Sequence, residues 1–122
     1  MQKLFIFNIC NYLFCLAYLV LGGSCYSQED TLNQFDENGL KQGYWIVYGK
    51  DKPEREYPAN GKIEEGRYMN NRKNGVWTKY YQDGKTPRLK GTYSNNRPNG
   101  EYWKFYQTGI IMEHGFFLGR KL

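Results

Sequence analysis

The sequence predicts an all-β chain built as an array of repeated β-hairpins. Residues 66–85 align with residues 91–110 at an offset of 25, and 11 of the 20 paired positions are identical. The identities fall mostly on glycines, rings and turn formers: Gly66/Gly91, Tyr68/Tyr93, Asn70-Asn71-Arg72/Asn95-Asn96-Arg97, Asn74-Gly75/Asn99-Gly100, Lys79/Lys104, Tyr81-Gln82/Tyr106-Gln107 and Gly84/Gly109. Aromatic runs alternate with those turn formers throughout. A fixed period in the twenties marks a stacked supersecondary unit, so the chain is read as an array before any residue is read as a site.

In chain order, residues 28–37 are polar without a steady period and read as a flexible lead-in, and the repeat domain runs over 38–122. Residues 38–48 align with 70–80 at an offset of 32, which makes them a first, divergent copy with Trp45 matching Trp77 and Tyr48 matching Tyr80. From Gly43 to Gly61 is 18 positions, against nine from Gly75 to Gly84 and from Gly100 to Gly109. The first copy therefore carries an insertion over 50–58, which Pro53, Pro58 and alternating charge mark as a protruding loop. Strands are expected over 61–69, 76–82, 85–94, 101–107 and 110–118. Asp83-Gly84 between two aromatic runs signals a hairpin with positive φ at both central residues. The six-residue turns 70–75 and 95–100 need the same tolerance, which Asn74-Gly75 and Asn99-Gly100 supply. Gly66, Gly91 and Gly115 fall inside strands, where a repeated glycine marks the close approach of a neighbour. The rings of the Trp45/Trp77/Tyr102 column are expected to lie across them, and Arg120-Lys121 to guard the last edge from pairing.

The first quarter of the chain reads as an address. Lys3 precedes an apolar run over 4–21, followed by Gly22, Gly23 and Ser24, the layout of a secretory signal. The expected cut follows Ser27. The alternatives are an uncleaved anchor, or a lipoprotein signal with lipidation at Cys25. Each exports the repeats, to a secreted, periplasmic or outer-membrane location, with membrane attachment only through the signal or a lipid. All three cysteines, Cys10, Cys15 and Cys25, lie before residue 28, so the exported part has no disulfide. After residue 27 there are only 15 Leu, Ile, Val and Phe, but nine Tyr and three Trp, so rings supply the apolar area. That part carries a net charge of +4 with interspersed signs, which excludes a basic nucleic-acid arm and reads as a solvated sheet surface.

Gly75-Val76-Trp77-Thr78-Lys79-Tyr80-Tyr81-Gln82-Asp83-Gly84-Lys85, with its kin at 43–48 and 100–109, resembles the MORN-repeat variant family over about residues 38–119. The copies are longer than the standard repeat and the first is interrupted. The resemblance implies a single-layer antiparallel meander of hairpins with scaffold or binding roles, and some bacterial relatives are labelled antitoxins of toxin–antitoxin pairs.

Little in the residues points to catalysis, a metal or a cofactor. His114 is the only histidine and shares a surface column with Glu65 and Lys90. Glu64 and Glu65 are strand neighbours on opposite faces and cannot act as a carboxylate pair. The display candidates are the rings Trp45, Trp77, Trp103, Tyr80, Tyr81, Phe105 and Tyr106, with Arg55 and Tyr57 on the insertion. The expected function is an exported, non-catalytic scaffold for a protein partner. The alternatives are a glycan- or envelope-polymer-binding module using ring faces, and an immunity or antitoxin-like protein.

Overall fold

The structure, a computed structural model, describes residues 31–119. The signal segment with Cys25, residues 28–30 and Arg120-Lys121 lie outside the described residues. Seven strands follow one another: β1 (Gln34–Phe35), β2 (Lys41–Tyr48), β3 (Lys62–Met69), β4 (Arg72–Tyr80), β5 (Pro87–Ser94), β6 (Arg97–Phe105) and β7 (Ile111–Phe117). Each pairs antiparallel with its neighbours in sequence, giving one sheet in the order β1 to β7. The described residues form the all-β meander of repeated hairpins that the sequence predicts.

The turns differ from the expected ones in instructive ways. Asn70 and Asn71 have φ of 50° and 66°, and Asn95 and Asn96 have 53° and 73°. These are two-residue hairpin turns of the kind that needs positive φ at both positions, which asparagine tolerates best after glycine. The expected six-residue turns are therefore shorter, and Gly75 and Gly100 stand inside β4 and β6. The asparagines also stitch the copies together. Asn71 Oδ1 accepts from Lys41 N at 2.7 Å while Asn71 N donates to Lys41 O at 3.1 Å. Asn96 repeats both bonds with Lys73, at 2.9 and 3.0 Å. Each hairpin tip thus docks on the preceding copy, which explains why the second asparagine of Asn-Asn-Arg recurs.

The other turns share a second design. Gly84 N donates to Tyr81 O at 2.9 Å and Tyr81 N to Thr86 O at 2.8 Å. In Asp83-Gly84 only the glycine has positive φ, correcting the expectation for both. Asp83 instead accepts the amides of Lys85 and Thr86 on its side chain, each at 2.9 Å. The bonds recur in Tyr106–Ile110 and again in Asp36–Leu40. The first copy therefore begins inside the stretch read as a flexible lead-in. Gln34–Phe35 is paired strand, and Asn33 brackets Ile46 by accepting from its amide at 2.8 Å and donating to its carbonyl at 3.0 Å.

The insertion does not protrude. It folds into two short 3-10 turns, Gly49–Asp51 and Pro53–Arg55, and lies back on the β4–β5 turn. Tyr57 Oη donates to Tyr80 O at 2.9 Å, and Gln82 Nε2 donates to Arg55 O at 3.2 Å. Polar backbone in a long insertion needs partners, and the neighbouring turn supplies them.

The strand glycines behave as expected at two of three places. A Cβ on Gly66 would lie 2.4–2.6 Å from the Trp77 ring, and one on Gly115 would lie 2.8–3.0 Å from Tyr102. At Gly91 the nearest atom is 3.5 Å away, on Phe117. Gly66→Ala is therefore expected to lower stability by about 1–3 kcal/mol through overpacking. Gly91→Ala should be neutral or stabilising by up to about 1 kcal/mol, because alanine restricts the unfolded chain. Urea melts of the two variants check this.

Candidate functional site

Strand alternation and register sort the rings onto two faces. On the first, Phe35, Trp45, Tyr68 and Trp77 make edge-to-face contacts with centroids 5.1, 5.7 and 4.8 Å apart. Lys41 sits over Trp45 and Tyr68, and Lys73 over Trp77 and Tyr93. The ladder ends in Tyr102 stacked on Phe117 at 4.3 Å. Trp77 is 1% exposed and its Nε1 donates to Arg67 O at 2.9 Å, so this ring is core. Trp45 is half-buried between its neighbours.

The opposite face carries a polar knot and a small ring cluster. The Tyr80 hydroxyl donates to Glu65, whose carboxylate also meets Lys62 Nζ at 3.0 Å, with Tyr44 alongside. Burial works against the Glu65 charge, but the hydrogen bonds from Tyr80 and Lys62 outweigh it and hold the carboxyl below its usual 4.5. Burial and the Glu65 contact push the Tyr80 phenol well above its usual range. A carboxylate with a depressed folded pKa contributes stability that is present above its unfolded pKa and lost as pH falls through the folded one. The thermal midpoint is thus expected to fall as pH drops below about 4.5, and less steeply in Glu65→Gln. Further along, Trp103 stacks on His114 at 5.1 Å with planes 5° apart, and His114 Nε2 lies 2.8 Å from Glu101 Oε1.

The candidate rings are therefore not one platform. Trp77 and Tyr80 are buried, Trp45 and Trp103 are half-buried on opposite faces, and Tyr81 donates its hydroxyl to Phe105 O. Among them only Tyr106 is openly exposed. It belongs to a larger group at the last hairpin. Tyr106, Ile110, Ile111, Met112, Phe116 and Leu118 are 46–70% exposed. Of these, Met112 also lines a cavity of about 320 Å³ with Tyr81, Arg88, Leu89, Lys104 and Phe105. β7 is a seven-residue edge strand, whereas the opposite edge, β1, has two residues.

Arg55 and Tyr57 separate in role: Tyr57 anchors the insertion and Arg55 faces solvent. Sequence reading missed Phe35, although Phe35-x-x-x-Gly39 repeats the spacing of Tyr80 to Gly84 and Phe105 to Gly109. It also missed the apolar group on β7, whose residues depart from the repeat and carry no motif. Comparison with family models, with curated proteins and with solved structures gives no match for this chain.

Proposed function

We propose that the chain is an exported, non-catalytic MORN-like repeat scaffold that binds another protein along its last hairpin. The observation that carries this is the exposed apolar group on and beside β7. A long edge strand, unpaired on its outer side among the described residues, offers backbone donors and acceptors to an added strand, and apolar side chains on both its faces supply contacts for alternate residues. Exposed apolar side chains gathered along one edge strand and its turn mark interaction sites. The protein reading is favoured over the glycan reading by the tryptophans: Trp77 is buried, Trp45 is wedged between Phe35 and Tyr68, and one face of Trp103 is covered by His114.

A photo-cross-linking residue placed at Phe116 and expressed in the native host is expected to trap a protein that the same residue placed at Arg72 does not. Phe116→Lys with Met112→Lys should abolish the capture while leaving the thermal midpoint within a few degrees. Trapping only a second copy of the chain, or equal trapping from both positions, would refute the reading. If the trapped protein is an exported toxin, the scaffold acts in immunity.

A further inference from the structure

A second cavity, of about 300 Å³, lies where the insertion meets β3, β4 and β5. Its wall brings together Arg55, Lys73, Lys79 and Arg88, with Glu64 as its one carboxylate. The charge does not cancel. Lys79 stands opposite Glu64 in the β3–β4 pairing, as Lys104 stands opposite Glu113 in β6–β7. Lys104 and Glu113 close an ion pair at 2.9 Å, but Glu64 turns to Lys73 at 3.1 Å. Arg55, Lys79 and Arg88 have no ion-pair partner among the described residues.

Three separate devices place those cations. Lys79 comes from the repeat itself. Arg88 is the bulged residue of β5, since Lys79 pairs with Leu89 and Tyr80 with Pro87. A bulge sets two residues against one and re-aims a side chain, so Arg88 lines both this cavity and the apolar one of Tyr81, Leu89, Phe105 and Met112. Arg55 is delivered by the insertion, which is held down by the Tyr57 and Gln82 bonds to the β4–β5 segment.

We propose that this cavity binds a phosphate monoester, with the ester's organic part lying in the adjoining apolar cavity. Two guanidinium forks match the oxygen geometry of phosphate, and the lysine adds a point charge. The volume is within the range of small-molecule pockets and exceeds what a bare ion fills. The site needs the insertion, so only the first copy has one. It does not depend on the partner reading of β7.

The test is calorimetric titration with phenyl phosphate, inorganic phosphate and acetate, each at matched ionic strength. Phenyl phosphate is expected to bind more tightly than inorganic phosphate, and acetate at least tenfold more weakly than phenyl phosphate. Arg88→Gln, Arg55→Gln and Lys79→Met should each weaken phenyl phosphate about tenfold, roughly the loss of one charge-assisted hydrogen bond. Lys90→Gln removes the same charge from the opposite face and should change nothing. Glu64→Gln should tighten binding, a gain that no loss of structure produces. Thermal melts without ligand confirm that each variant is folded. Equal loss in Lys90→Gln and Arg88→Gln would reduce the effect to diffuse charge and overturn the proposal. So would acetate binding as well as phenyl phosphate, or no binding above that of sodium chloride.

Discussion

Trp77→Ala is expected to lower the stability of the repeat domain by about 3–5 kcal/mol, the usual cost of truncating a fully packed large ring. The ring is 1% exposed, covers the bare backbone of Gly66, meets the Tyr68 ring at 4.8 Å and lies under Lys73. Its Nε1 also satisfies Arg67 O. Small domains hold only about 5–15 kcal/mol in all, so the variant should be largely unfolded at moderate temperature. Trp103→Ala, at a half-buried site, should lose less than half as much. Circular dichroism and urea melts decide this, and an unchanged midpoint for Trp77→Ala would remove that ring from the core.

Gly84→Ala is the second large effect. An added Cβ would sit 2.4 Å from Gly61 Cα, where backbone meets backbone and no side chain can move aside. The residue also has φ of 72°, a region that costs an L side chain about 1–2 kcal/mol. Gly84 O accepts from Lys62 N at 2.9 Å, so relieving the clash breaks the junction between the first and second copies. Gly109 is the natural control. It occupies the same turn position with φ of 88° and nothing within 4 Å of its would-be Cβ. Gly109→Ala should show the backbone cost alone, about 1–2 kcal/mol, and Gly84→Ala about 3 kcal/mol or more. Equal midpoints for the two would show that the copies can separate at Gly61 without penalty.

Much of the fold was legible because hairpin chemistry is local. Asn-rich pairs and x-Gly turns between aromatic runs place strand ends to within a few residues, and period places the copies. Errors arose where a residue has two uses. Asn70-Asn71 reads as the approach to a longer turn, yet it is the whole turn and the stitch to Lys41. The insertion looked free because prolines and charges say loop, while the bond from Tyr57 to Tyr80 O depends on a partner 23 residues away. The cationic cavity was less legible still. In sequence its charges are interspersed with acids, and only the bulge at Arg88 and the diversion of Glu64 to Lys73 leave three positive groups together. The ladder on the first face was half legible, since Tyr68 and Tyr93 follow their glycines at a fixed step, but Phe35 was hidden in a polar stretch.

Among the described residues the four buried apolar side chains, Ile46, Ile63, Trp77 and Tyr80, all belong to β2, β3 and β4, and β6 and β7 contain no buried residue. Because most contacts of each strand are with its neighbours in sequence, stability is distributed along the array largely as a sum of adjacent contacts. Amide hydrogens should therefore exchange slowest in the first three long strands and progressively faster toward β7, which can detach without disturbing Trp77. The hairpin that carries the exposed apolar side chains is thus the segment freest to reshape itself around whatever it meets, while the insertion and its cations ride on the part that holds still.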